Sequence, residues 1–140
     1  KPEFMDTRSD DRILVLVPFY HVYGIGMLLL GLFANCTCII MPAFEPQLFL
    51  TLVQEYKITH LPLVPPILTF LAKHPLVDNC DFCSVRELFS AAAPLPKDII
   101  TAVKARIGIK CVRNGYGMTE LSMATNLSGR DDDDNEFENL

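Results

Sequence analysis

The stretch Asn114-Gly115-Tyr116-Gly117-Met118-Thr119-Glu120 brings together backbone freedom, an aromatic ring, a hydroxyl and a carboxylate. That combination suits a polyanion carried with its metal. Glycines at 115 and 117 let the backbone approach a ligand or take positive φ. Thr119 is a hydrogen-bond donor for a phosphate oxygen, Glu120 supplies carboxylate oxygen for a hard divalent cation, and Tyr116 offers a flat face for a base. The block follows Lys110 to Arg113, an alternating run that reads as a strand, and ligands of open α/β sheets gather at strand ends. The same spacing also fits a Gly-rich turn closed by an incidental Glu.

The elements around this block alternate between strand and helix. Ile13 to Val17 is a short apolar run, read as a buried strand stopped by Pro18. Gly24 to Ala34 reads as a buried helix, apolar on most sides, and Cys36 to Met41 as a second buried strand. Pro46 to Tyr56 has helical apolar spacing, with Pro at a favoured first-turn position. Thr59 to Val64 is a third strand. Pro65-Pro66 opens a helix over 67 to 73, a loop is expected over 78 to 84, and Val85 to Ser90 is a fourth strand. Lys97 to Ile107 is an amphipathic helix ended by Gly108. Ile109 to Arg113 and Met123 to Leu127 complete the strands. The pattern predicts an α/β fold with a parallel sheet flanked by helices on both faces.

Three stretches in order resemble the adenylate-forming superfamily, which includes acyl-CoA synthetases, 4-coumarate:CoA ligases and firefly luciferases. Asn114 to Glu120 is similar to its Gly-Tyr-Gly-Met-Thr-Glu signature. Val17-Pro18-Phe19-Tyr20-His21-Val22-Tyr23-Gly24 is similar to its Pro-Phe-x-His-x-x-Gly motif, and Ser90-Ala91-Ala92-Ala93-Pro94-Leu95 to its Ser-Gly-(Gly/Ala)-Ala-Pro-Leu loop. The likeness covers residues 12 to 128. It implies a flavodoxin-like subdomain of the family's N-terminal domain, with ATP/AMP and Mg2+ as cofactors, CoA as co-substrate and a small carboxylic acid as substrate. By that resemblance Thr119 contacts the α-phosphate, and Glu120 binds magnesium with ATP. Gly115 and Tyr116 lie along the adenine and the acyl group. Ala91, Ala92, Ala93 and Pro94 pass along the adenine and the acyl tunnel, while Asn114, Gly117 and Met118 complete the nucleotide-binding set. His21 and Tyr23 line the acyl pocket, with His21 beside the carboxylate being activated.

The implied reaction converts an aryl or fatty acid to acyl-AMP and then to a CoA thioester. Two alternatives stay open: a luciferase-like monooxygenase of the same superfamily, and a noncatalytic nucleotide-binding module. Ala91 stands where the family usually has Gly, and Asn114 where Gln is usual. A phosphate loop, a ribose-binding Asp and a C-terminal catalytic Lys have no match here. The chain reads as the central part of a larger enzyme, with little turnover expected by itself; the rest of that enzyme is its expected partner, and self-association through exposed sheet edges is a further expectation.

Composition bounds what remains. Half the chain is apolar and 21% is charged, which fits one well-buried domain of 140 residues. The formal charge is −5, but six acids lie in 131–140, so the rest carries +1. No basic stripe interleaved with aromatics suggests nucleic acid. Residues 1–11 read as a flexible leader, the part before Met5 as added sequence, and 129–140 as an acidic disordered or non-native tail. Five cysteines at irregular spacing argue for free thiols in a reducing compartment, with cytoplasm or peroxisome implied by the resemblance. Cys80-x-x-Cys83 lacks a second ligand pair and reads as structural thiols. Cys36 and Cys38 are expected on opposite faces of their strand, unable to pair, and His60 as a core histidine. The apolar window Val22 to Met41 mimics a membrane span in length, but early glycines and Asn35 favour helix then strand.

Overall fold

The computed structural model describes residues 7–128. Strand β1 (Arg12–Val15) is followed by α1 (Val22–Ala34), β2 (Thr37–Ile40), α2 (Pro46–Glu55), β3 (His60–Leu63) and α3 (Pro65–Lys73). After a 3-10 turn at Pro75–Asn79 come β4 (Glu87–Ser90), α4 (Lys97–Ile107), β5 (Cys111–Tyr116), a short 3-10 turn at Thr119–Leu121 and β6 (Asn126–Leu127). The sheet order is β2-β1-β3-β4-β5-β6. The first five strands are parallel, as their alternation with helices requires, in the flavodoxin-like doubly wound order. Only β6 reverses, pairing antiparallel with the end of β5 through Gly115↔Leu127 and Tyr116↔Asn126.

Central strands β3 and β4 are buried at every position, with apolar Leu61, Leu63, Leu88 and Phe89 beside the buried polar residues His60, Glu87 and Ser90. One face packs against α2, α3 and α4 through a core that includes Leu14, Phe49, Leu61, Leu68, Leu88 and Ile100. The opposite face carries Ile13, Val15, Tyr23, Met27 and Phe89 beneath α1. Local signals set the helix ends. The Glu45 carboxylate accepts from the Gln47 and Leu48 N–H groups ahead of Pro46, and Gly108 closes α4 at φ 70°. Asn35 closes α1 in the left-handed region at φ 55°.

Several expectations need correction. Helix α1 is not buried all round: Ile25, Leu29, Leu32 and Phe33 are exposed, because only the Tyr23–Met27–Gly31 stripe meets the sheet. Strand β2 is a half-exposed edge rather than a buried strand, since it pairs only with β1. Strand β5 begins at Cys111 and runs on to Tyr116 instead of ending at Arg113, because β6 pairs with its last residues. The sixth strand shrinks to two residues, and part of the expected 78–84 loop is 3-10. Cys36 and Cys38 share a face, as residues two apart on a strand must, and both pack against the α1 side of the sheet.

The base of the sheet is pinned by polar contacts. Asp11, in the expected leader, is 1% exposed, and its carboxylate pairs with Arg86 and accepts the Thr59 hydroxyl at 3.0 Å. His60 is buried beside it, with Nδ1 2.9 Å from the Thr59 hydroxyl oxygen, as expected of a core histidine. Arg113 and Glu87 form a second buried pair at 3.4 Å, and Arg113 Nε donates to the Ser128 carbonyl at 2.9 Å. The remaining leader and tail readings, on residues 1–6 and 129–140, lie outside the described residues.

Helix α1 crosses the chain leaving β1 so closely that a Cβ at Gly24 would lie 2.2 Å from the Pro18 carbonyl oxygen. Gly24→Ala gains about 1 kcal/mol of helix propensity but forces backbone apart at a cost of about 1–3 kcal/mol or more. Urea unfolding is expected to show a lowered midpoint; an unchanged or raised midpoint would contradict this packing. Glu45→Ala, which removes the α2 cap, is expected to cost about 1 kcal/mol in the same experiment.

Candidate functional site

Three connections leave the C-terminal edge of the sheet and meet there. The loop after β1 ends at His21, which caps α1: its Nδ1 accepts the Tyr23 N–H at 3.1 Å. An accepting Nδ1 carries no proton, so neutral His21 holds its proton on Nε2 as a donor. Tyr23, one residue into the helix, is 4% exposed. Its hydroxyl lies 3.3 Å from the Leu63 carbonyl and 3.2 Å from the Phe89 carbonyl, and its ring meets Phe89 edge-on at 5.5 Å. Burial pushes the Tyr23 phenol well above its ordinary pKa, which keeps it a donor. The residue therefore pegs α1 to the ends of β3 and β4 while its ring lines the cavity beside them.

The end of β5 divides two cavities. The first, about 260 Å³, is lined by His21, Tyr23, Phe89, Ala91, Met118, Thr119, Glu120 and Met123. The second, about 220 Å³, is lined by Ala93, Pro94 and Asn114. Ala92, Gly115, Tyr116 and Gly117 border both. Every site residue expected from the sequence thus lies on one cavity or the other. Tyr116, Thr119 and Glu120 are exposed, so the ring, hydroxyl and carboxylate are all accessible.

The glycines here serve close approach, not positive φ. Among the described residues only Gly108 has a glycine φ in the left-handed region. A Cβ at Gly115 would lie 2.7 Å from the Phe89 ring, and one at Gly117 would lie 1.6 Å from the Met123 carbonyl oxygen. The left-handed positions fall instead on non-glycine residues: Ala92 at φ 76°, Ser122 at 58° and Met123 at 108°. Such backbone costs of order 1–3 kcal/mol per residue and is held by its surroundings. For Met123 the surroundings include Gly26, whose missing side chain makes room for the Met123 sulfur.

Two buried polar atoms are unpaired at the ends of β4 and β5, and of the two residues Asn114 lines the second cavity. Neither the Ser90 hydroxyl nor the Asn114 side-chain carbonyl has a hydrogen-bond partner among the described residues, and the two positions are cross-strand neighbours. A buried polar atom left unpaired costs about 1–3 kcal/mol, which a ligand donor would recover. Val22, Phe89, Met123 and Ala124 also line the first cavity and were missed from sequence. Phe89 was hidden in a strand pattern, and Met123 gives no local signal, because only its contact with Gly26 brings it inward.

The arrangement joins an imidazole donor, a hydroxyl and a carboxylate on one cavity to an open acceptor and an aromatic wall next door. Among the described residues no group of three or more His, Cys, Asp or Glu could hold a metal ion by itself, and no helix is long and apolar enough to cross a membrane.

The chain is similar to known proteins in sequence and in fold. The 4-coumarate–CoA ligase of Vanilla planifolia is 46% identical over 113 residues, 80% of this chain and 20% of that protein. ATP-bound MatB from Rhodopseudomonas palustris superposes with a TM-score of 0.83 at 29% identity, over 94% of this chain and 25% of the other. A red-emitting luciferase from Phrixothrix hirtus gives 0.80 at 34% identity, over 89% and 24%. The chain spans about a fifth of the length of the curated relatives it matches. A family profile described as AMP-binding enzyme matches residues 2–139, and the chain belongs to that family.

Proposed function

We propose that this chain forms part of the adenylation site of a carboxylate–CoA ligase that converts an aryl or fatty acid to acyl-AMP and then to its CoA thioester. The observation that carries this reading is the shared wall at Gly115 to Gly117, with polar reacting groups on one side and a base-sized recess on the other. The names of the similar proteins, a CoA ligase and an ATP-bound structure, point the same way.

In this reading the base enters the second cavity, where Asn114 lines the wall and its unpaired Oδ1 accepts from an exocyclic amine. Ala93, Pro94 and Tyr116 also line it. The acid lies in the first cavity against Tyr23, Phe89 and Met123. His21 Nε2–H donates to its carboxylate, orienting it without removing a proton, since a carboxylate is already the nucleophile. Attack on the α-phosphorus builds negative charge on the phosphoryl oxygens. A Thr119 hydroxyl donating there stabilises the transition state more than the ground state.

Magnesium fits the donors present. Glu120 offers one hard oxygen ligand on the open side of the cavity, and Mg2+ commonly takes one or two carboxylates, leaving its other positions to phosphate and water. When bound it supplies charge neutralisation to the phosphates.

Calorimetric titration with a nonhydrolysable acyl-adenylate, in coumaroyl and decanoyl forms, tests the reading. Thr119→Ala is expected to weaken binding at least about tenfold, in line with about 1.5–3 kcal/mol for a hydrogen bond to a charged group. Binding by neither analogue to a cooperatively folded chain, or binding indifferent to Thr119→Ala, would sink the proposal. Glu120→Gln is expected to weaken ATP in the presence of Mg2+ while leaving AMP alone within twofold. Equal loss for both nucleotides would remove the metal role.

A further inference from the structure

The sequence Cys36-Thr37-Cys38 at the junction of α1 and β2 forms a second constellation, remote from the nucleotide cavities in function and absent from their walls. Both thiols are free and half-buried. They lean on the same notch of α1: a Cβ at Gly31 would lie 2.2 Å from Cys38 Sγ and 3.7 Å from Cys36 Sγ. The absence of a side chain at Gly31 is therefore what admits both sulfurs to one place. Burial raises both thiols above their ordinary pKa, so both rest protonated.

Direct disulfide bonding suits this placement poorly. The strand is held extended by the register Arg12↔Thr37 and Ile13↔Cys38, with the Thr37 N–H on the Asp11 carbonyl at 3.0 Å. Cys36 precedes the strand, with its N–H on the Gly31 carbonyl at 3.0 Å, so the end of α1 holds one cysteine and β2 the other. In extended backbone, residues two apart sit about 6.6 Å apart at Cα, near the upper limit for a disulfide, whose Cβ atoms must close to about 3.8 Å. An atom placed between the sulfurs relaxes that demand, because two metal–sulfur bonds of about 2.3 Å span about 4.6 Å. Among the described residues no third His, Cys, Asp or Glu joins the pair. Two soft ligands without a third favour a closed-shell soft ion over zinc, which takes four.

We propose that Cys36 and Cys38 form a two-sulfur site for monovalent copper. Binding replaces one proton on each thiol, so one Cu+ and two thiols give a dithiolate complex of net charge −1 and two released protons. The other thiols differ in their surroundings. Cys80 Sγ donates to the Leu50 carbonyl at 3.5 Å, and Cys83 Sγ donates to Asp81 Oδ2 at 3.1 Å, so that pair is turned to separate partners.

The test is anaerobic titration of the reduced full chain with Cu(I), supplied as its acetonitrile complex, against the chromophoric chelator bicinchoninate. One equivalent is expected to resist the chelator. Cys36→Ser and Cys38→Ser are each expected to weaken it at least tenfold, and Cys83→Ser to leave it unchanged. Retention of the tight equivalent in Cys36→Ser or Cys38→Ser, its loss in Cys83→Ser, or no tight equivalent in the unaltered chain would overturn the assignment. X-ray absorption on the copper-loaded unaltered chain decides independently of how the variants fold. A shell of two sulfurs supports the site; three or more ligands overturns it.

Discussion

The close crossing at Gly24 is the constraint on which the rest depends. Because that position has no side chain, α1 can start immediately beside the chain leaving β1. His21 is then forced to be both loop end and helix cap, and Tyr23 falls into the sheet where its hydroxyl meets the ends of β3 and β4. The helix thus does for the C-terminal edge what strand pairing does lower down. It ties the connection after β1 to the strand ends beside it, and the imidazole inherits its orientation from a backbone hydrogen bond.

The two ends of the sheet are treated differently. At the base, Asp11 is met by Arg86 and Thr59, with His60 beside them. Buried charge is tolerated there because partners surround it. At the opposite edge, Ser90 and Asn114 keep acceptors without partners, and Ala92, Ser122 and Met123 hold backbone that alanine, serine and methionine disfavour. Unpaired polar atoms and left-handed backbone thus gather at the edge that borders the two cavities, and the satisfied polar groups lie at the base.

Much of this was legible from residue types. Short apolar runs separated by helical spacing marked the parallel strands, and the prolines at 46 and 65 marked helix starts. The residues that line the two cavities were picked out because three short stretches resemble one family's motifs, and those stretches follow neighbouring strands. What escaped were features set by neighbours far along the chain. The length of β5 depends on β6, more than ten residues later, and a Gly-Tyr-Gly run carries no local strand signal. The exposed side of α1 could not be told from its buried side, since Ile25, Leu29 and Leu32 are as apolar as Met27. Cys36 and Cys38 were misplaced by a faulty reading of the strand period. Residues two apart return to the same face.

The wall formed by Gly115, Tyr116 and Gly117 has an evolutionary consequence. A change in any of the three alters both recesses together, so selection on one occupant is felt by the other. Met123 and Phe89 border only the first recess, and Ala93 and Pro94 only the second. Diversification of one recess can therefore proceed by drift at side chains such as Met123 while its neighbour keeps its shape. On the reading proposed above, a scaffold arranged in this way lets the first recess change its acid while the second keeps its shape, provided the short partition between them stays as it is.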